Sequence, residues 1–310
     1  MKHLFVLNPV AGGGRRTAEA RAEIQGLMEG SGKDWELYET SGPKDAMEKV
    51  RAEAERGAPL RVYACGGDGT LNECVNGVVG KAQAAVTHFP TGTGNDFIKT
   101  FAKGKELFFD LERLLDGEVM ALDVIDVGER YGINICSVGL DARIGADVHK
   151  YSAWPLVGGK GAYLVSLLAN TVRGIAEPFE VEIGDRVERR KFTLICACNG
   201  RSYGGAFTPV PEALPDDGQM DILLVSKVSR FGVLNLVKRY AQGKYREIPQ
   251  LITCFREKQL TIRADRAFVI NVDGEILRKS EVAFRLLPAA VNFFAPQGAA
   301  FSKPDMAQED

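Results

Sequence analysis

The chain has 310 residues, 45 % of them hydrophobic and 26 % charged, a globular composition with room for two domains and separate cores. A formal net charge of −2 excludes a chain-wide polyanion binder, so no nucleic-acid partner is expected and any membrane contact has to use a local patch. The apolar run after Met1 is too short for a signal sequence, and no stretch approaches the ~18 to 20 apolar residues of a membrane span, which points to a cytoplasmic protein.

Residues 4–7 read as a short strand that stops at Asn8 and Pro9 and runs through Val10 and Ala11 into Gly12, Gly13 and Gly14. Proline ends the strand, and the glycines let backbone N–H groups approach a ligand closely. Arg15 and Arg16 stand at the mouth of this loop, either as phosphate or lipid-headgroup contacts or as solvated charges. Helical spacing follows over 17–29, then a strand over 35–40 that ends at Thr40, and a helix over 44–56.

Residues 60–77, LRVYACGGDGTLNECVNG, combine the most local signals. A strand over 60–65 is broken by Gly66 and Gly67; Asp68 and Gly69 follow. Thr70 is expected to cap a helix over 71–77, with Glu73 as its reciprocal partner. Such a turn favours phosphate at the helix N-terminus. Asp68 would repel bare phosphate, and makes sense if a divalent cation lies between them. An ordinary capped strand-to-helix turn is the alternative.

A fourth strand over 84–89 enters Pro90-Thr91-Gly92-Thr93-Gly94-Asn95-Asp96-Phe97, a third loop of the same kind. Strands alternating with helices imply an α/β domain with a parallel sheet and right-handed crossovers, whose loops share one edge. Three glycine loops on that edge form one nucleotide-sized cleft.

After residue 122 the texture changes to short runs at 121–127, 132–138, 178–183, 191–198, 221–226, 251–255, 259–264 and 267–272, spaced like an antiparallel, sandwich-like domain. Helical segments at 162–173 and 230–241 interrupt it. The expected division is an α/β domain over 1–126, a β-rich domain over 127–300 and a frayed tail over 301–310. Residues 291–294 read as a strand that can return to either domain. Six cysteines without a CxxC pair, and three histidines, make zinc unexpected; Cys196 and Cys198 read as buried reduced thiols. There is no GxxxxGK[ST], no dinucleotide GxGxxG with its acidic partner, no HRD with DFG, and no GxSxG.

NPVAGGG at 8–14, GGDGTLNE at 66–73 and PTGTGNDF at 90–97, in that order and ahead of a β-rich half, resemble the diacylglycerol kinase catalytic family. The likeness covers essentially the whole chain. It is strongest to the soluble bacterial lipid kinases related to sphingosine and ceramide kinases, and GGDGT alone is shared with NAD kinases and phosphofructokinases. The resemblance implies an NAD kinase/phosphofructokinase-like first domain that binds ATP. Its contacts would be Asn8, Pro9, Ala11, Gly12, Gly13, Gly14 and Thr40. Others would come from Gly66, Gly67, Asp68, Gly69, Thr70, Leu71 and Asn72, and from Thr93 and Asn95.

The resemblance also assigns Asp68 to the catalytic magnesium ion. Val272-Asp273-Gly274-Glu275 matches an Asp-Gly-Glu of the family, with Glu275 as general base and Asp273 as its acidic neighbour; on the residues alone a hairpin turn is the simpler reading. In Leu214-Pro215-Asp216-Asp217-Gly218-Gln219 the resemblance implies a structural magnesium site, with the Asp217 carboxylate and the carbonyls of Leu214 and Gln219 as ligands; a plain turn is again the alternative. Ile98 and Lys99 depart from the family pattern.

The implied reaction is transfer of the ATP γ-phosphoryl group to a lipid hydroxyl, diacylglycerol to phosphatidic acid above all, a step of phospholipid metabolism. An NAD kinase-like enzyme and a non-catalytic nucleotide- or lipid-binding regulator are the alternatives. A lipid partner calls for peripheral membrane contact. Residues 151–157, with Trp154 and Leu156 between Lys150 and Lys160, mix aromatic, aliphatic and basic groups as an interfacial segment does. Arg186, Arg189, Arg190 and Lys191 form a second basic cluster, or simply a solvated hairpin. A homodimer stays open.

Overall fold

The computed structural model describes residues 1–152, 174–229 and 232–301. Within them, thirteen strands belong to one continuous sheet. The first half alternates β1 (Lys2–Leu7), α1 (Arg15–Met28), β2 (Asp34–Glu39), α2 (Asp45–Ala54), β3 (Leu60–Gly66), α3 (Asp68–Val78) and β4 (Ala84–Pro90). Its strands pair in parallel in the order β2, β1, β3, β4. Leu7 lies opposite both Glu39 and Cys65, and Gly66 opposite Pro90, so the strands end level and their loops leave the same edge. All seven residues of β4 are buried, as a parallel strand covered on both faces requires.

The second half comprises α4 (Leu111–Leu115), β5 (Glu118–Asp126), β6 (Tyr131–Gly132), β7 (Ile135–Gly139), α5 (Leu140–Ser152), β8 (Glu177–Ile183), β9 (Arg186–Cys198), β10 (Met220–Ser226), α6 (Gly232–Ala241), β11 (Ile252–Glu257), β12 (Gln259–Val272) and β13 (Glu275–Ala295). β9 and β12 are long enough to serve three partners each. Both pair with β8 through one part of their length and with β7 through another, which closes a circuit of four strands. Phe179, Phe192, Ile195, Leu260 and Ile270 fill its interior. A third core, with Ile144, Leu194, Leu223, Leu236 and Tyr240, lies where α5 and α6 cover the sheet.

The chain's last strand returns to the first half. Asn292 and Phe293 of β13 pair in parallel with Ala85 and Val86 of β4, and residues 291–295 pair antiparallel with β5. Phe293 and Phe294 are fully buried, Phe293 against Phe97 and Phe101 and Phe294 edge-on to Tyr63. Each such side chain contributes about 1.5–3 kcal/mol of burial, so the first core closes only with residues from the end of the second half.

Three features differ from expectation. The runs at 259–264 and 267–272 are one strand, bent by a register shift between Arg263 and Phe268. Most of β13 went unread because Arg278, Ser280, Glu281 and Arg285 turn outward and mask the apolar alternation; α5 was likewise not anticipated. Five of the six cysteines are buried; Cys196 and Cys198 lie 3.5 Å apart at sulfur, and burial pushes the Cys198 thiol up, as inert core thiols require. No helix among the described residues is long and apolar enough to cross a membrane. The expected helix over 162–173, the interfacial residues 153–157 and 160, and the tail from 302 lie outside the described residues, as do the side chains of 150–152.

Candidate active site

The three glycine loops touch one another. The Asn8 amide donates to the Cys65 carbonyl at 2.9 Å, and Thr91 and Gly92 donate to the Gly66 carbonyl at 2.9 and 3.1 Å. Asn8 Nδ2 donates to Thr70 Oγ1 at 3.3 Å, and the Thr40 amide donates to the Leu7 carbonyl at 2.9 Å. Glycine is compulsory where they meet. A Cβ on Gly12, already at φ +57°, would stand 2.4 Å from the Thr91 oxygen, and one on Gly92 would stand 2.4 Å from the Gly67 Cα. Pro9, Ala11, Gly13 and Gly14 continue along the same edge, and Thr93 is exposed at the tip of the third loop.

The expected capping box does not form. Helix α3 starts at Asp68 behind Gly67, without a side-chain cap. Thr70 is buried inside the helix, and Glu73 accepts the Lys44 amide at 2.8 Å instead. Placing Asp68 in the first turn suits the positive end of the helix. Its Oδ1 accepts the amides of Asp96 and Phe97 at 2.5 and 3.2 Å. A Cβ on Gly94 would lie 2.8 Å from Asp68 Oδ2, so only glycine leaves that oxygen room for a ligand.

Three buried polar atoms beside these loops lack a partner: His88 Nδ1, Thr91 Oγ1 and Asn95 Oδ1. Burial lowers the pKa of His88, which keeps the ring neutral, and its Nε2 lies 3.0 Å from the Gly66 carbonyl. Donation from Nε2 makes the lone Nδ1 an acceptor. Sequence reasoning passed over His88, because a single histidine in an apolar strand carries no signal. Among the described residues no three His, Cys, Asp or Glu side chains converge as a metal cage. One carboxylate oxygen facing a phosphate-sized edge nevertheless fits Mg²⁺, which keeps water and phosphate oxygens for its other positions.

Across the cleft, Asp273 sits at φ +50° in the turn between β12 and β13. The turn backbone is partly open, but the carboxylate points inward and is enclosed. It accepts Asn72 Nδ2 at 2.9 Å, and the amides of Ile133, Asn134 and Ile135 at 2.7, 3.1 and 2.7 Å. Burial pushes its carboxyl up to about 6, against these donors, which favour the ionised form. Asp273 thus ties α3 of the first half to the β6–β7 segment of the second.

Glu275 lies on the other face of the hairpin from the cavity. It pairs with Val272, whereas Asn271, which lines the cavity, pairs with Ile276; alternation along a strand puts the two pairs on opposite faces. The Glu275 side chain is 44 % exposed, and Oε2 lies 3.5 Å from Arg130 Nη1. The cavity itself, about 310 Å³, is lined by Asp68, Leu71, Asp96 and Phe97 from one half and by Asn134, Asp141, Tyr203 and Asp273 from the other. Asp96 spans it, with Oδ1 on Lys99 Nζ at 2.5 Å and Oδ2 accepting the Gly205 amide at 2.8 Å. Burial raises the pKa of Asp141, which Ser137 meets with its hydroxyl at 2.8 Å. The structure therefore brings the loops, Asp68 and Asp273 together and leaves Glu275 at the rim.

The expected structural metal site fits poorly. The Asp217 carboxylate pairs with Arg256 and accepts the Gln219 amide at 3.1 Å. Asp123 of β5 holds the same turn, accepting the Gly218 amide at 2.7 Å and donating its own to Pro215 O at 2.7 Å. Arg256, its side chain 49 % exposed, stands where a cation held by Leu214, Asp217 and Gln219 would have to displace it. In the second basic cluster, Arg189 meets Glu180 at 2.6 Å and Arg190 meets Glu188 at 2.7 Å, the pattern of a solvated hairpin.

Residues 2–127 match the diacylglycerol kinase catalytic domain, and residues 134–295 match the YegS C-terminal NAD kinase beta sandwich-like domain. A Staphylococcus aureus (strain N315) protein, provisionally named a lipid kinase, is 28 % identical over 232 residues, 74 % of this chain and 75 % of its own. A relative from strain Newman gives the same figures. A Bacillus anthracis str. Sterne structure, provisionally titled a diacylglycerol kinase, superposes at a TM-score of 0.76 with 23 % identity over 96 % of both chains. Another from that organism, titled a diacylglycerol kinase, superposes at 0.70 with 19 % identity, covering 96 % of this chain and 98 % of its own. At such identities the likeness to the two structures is one of fold.

Proposed function

The chain belongs to the lipid kinase family that joins a diacylglycerol kinase catalytic domain to a β-rich partner, and we propose on that premise that it transfers the γ-phosphoryl group of ATP to a lipid hydroxyl, diacylglycerol being the first acceptor to test. The observation that carries this reading is the single edge where three glycine loops and the first turn of α3 meet, with Asp68 on a cavity shared by both halves. The Gly12 amide and the N-terminus of α3 receive the phosphates, while the Gly13 and Gly14 amides hold the loop in shape by donating to the Val10 and Ala11 carbonyls. Asp68 would hold a magnesium ion through its open carboxylate oxygen, and that ion would neutralise charge on the phosphates.

Asp273 fixes the turn, and Glu275 takes the acceptor proton. That step requires the Glu275 carboxylate within ~2.6–3.2 Å of the hydroxyl oxygen, directly or through one water, so the acceptor approaches along the rim where Glu275 stands. A lipid acceptor brings the protein to a membrane surface by peripheral contact. Incubation with radiolabelled ATP and a panel of extracted lipids tests the reading: label should enter a lipid, diacylglycerol first. Label in NAD and in no lipid would replace it with the NAD kinase-like alternative, and no transfer at all would leave a nucleotide binder.

A further inference from the structure

Arg130, on the β5–β6 hairpin, is a buried cation whose surroundings do not use all of its donors. Its side chain is 10 % exposed. Nε donates to Asn72 Oδ1 at 2.8 Å, and Nη1 faces Glu275 Oε2 at 3.5 Å, too long for a good hydrogen bond. Nη2 is buried with no partner. A guanidinium N–H left unpaired out of water is costly, and native structures rarely keep one without a reason. Lys279 of β13 is already engaged by Glu129, the residue before Arg130, at 2.8 Å.

We propose that Arg130 is a catalytic residue that receives the oxygens of the phosphoryl group in transfer; this rests on the kinase reading above. In that reaction the acceptor oxygen attacks the γ-phosphorus. The bond from phosphorus to the β–γ bridging oxygen breaks, its electron pair leaves with ADP, and the hydroxyl proton passes to Glu275. A base within ~3 Å of the hydroxyl, and a hydroxyl within ~3–3.5 Å of phosphorus, put the phosphoryl group within one guanidinium's reach of the Glu275 carboxylate. Arg130 is the guanidinium at that spot. Its planar fork suits two phosphoryl oxygens, and a preorganised donor there strengthens as negative charge spreads over them. Asn72 ties Arg130 to α3, one turn beyond Asp68, so the metal side and the base side of the reaction are set by one helix.

The test uses the full chain, with ADP and aluminium fluoride as the mimic of a planar phosphoryl group, read by titration calorimetry. In Arg130→Gln, ADP alone should bind within about twofold of the wild type, while the tightening caused by fluoride should shrink by about tenfold or more. Turnover of lipid should fall about 100-fold in kcat, with little change in KM for ATP. If Arg130→Gln does not fold, Arg130→Lys carries the same titration, because it keeps the charge but loses the fork, and it too should lose most of the tightening. A variant that binds ADP with aluminium fluoride as tightly as the wild type overturns the proposal, as does the absence of tightening in the wild type. Failure of the chain to phosphorylate any lipid would sink the kinase reading instead, and the titration would still decide whether Arg130 meets a phosphoryl group.

Discussion

Asp68 and Asp273 face one cavity from opposite halves of the molecule, each in a glycine turn at the end of a strand, and they are wired in opposite ways. Asp68 gives one oxygen to two amides of the neighbouring loop and keeps the other clear behind Gly94. Asp273 gives both oxygens to four N–H groups drawn from two separate segments. The residue type and the adjoining glycine are alike, so neither tells the roles apart, although one aspartate opens a helix and the other sits in a hairpin. The number of donors closing over the carboxylate does: Asp68 has lone pairs left for a ligand, and Asp273 uses its own to fasten the halves together.

The widest gap between the two should appear in catalysis. Asp68→Ala is expected to lower kcat by about 10³-fold or more, by removing the metal-side charge, with a melting temperature near that of the wild type; an active Asp68→Ala would erase the distinction. Glu275→Gln should cost about 10²–10⁴-fold in kcat, and its half-exposed side chain predicts an unchanged fold. Near wild-type turnover would show that Glu275 is not the base. Asp273→Ala should act on stability, losing about 3 kcal/mol as buried amides go unpaired, seen as a lower urea midpoint. A midpoint equal to that of the wild type would contradict the fastening role.

Gly92→Ala should cost about 1–3 kcal/mol, because its Cβ meets backbone rather than a movable side chain, and should weaken ATP binding in parallel. Smallest is the effect of pH. Burial holds the Asp273 carboxyl at about 6, above its ordinary 3.8, so the folded chain keeps this proton longer than the unfolded one. The stabilisation is complete below about pH 4 and is lost as pH rises through about 6, an amount of about 1–2 kcal/mol given the partly open turn. Asp221, likewise raised to about 6 by burial, adds a slope of the same sign. Urea unfolding between pH 4 and 7 should show the decline, and Asp273→Asn should flatten it.

The glycine loops were legible because their requirement is local: Gly12 and Gly92 must lack a Cβ wherever strands end level, and the strands before them are short apolar runs. Asp68 could be singled out for the same reason. Residues whose neighbours lie far along the chain could not be read. Arg256 meets Asp217 across 39 positions, Arg130 meets Asn72 across 58, and Asp273 reaches Asn72 across 201. The side of the hairpin that Glu275 takes depends on the register of β12 and β13, and a slip of one residue would have put it in the cavity. The Thr70 cap failed more simply, since Gly67 lets the helix begin three residues before the serine/threonine pattern suggests.

The homecoming of β13 has a temporal side. A ribosome that has released only the first 127 residues has made every glycine loop, yet the strand that flanks β4 and the two phenylalanines that seal the core beneath it are still unsynthesised. Pairing across some 200 positions is slow to form, and until it does the nascent first half exposes apolar surface that invites chaperones. The core beneath the glycine loops is therefore completed only with β13, and the two halves mature as one.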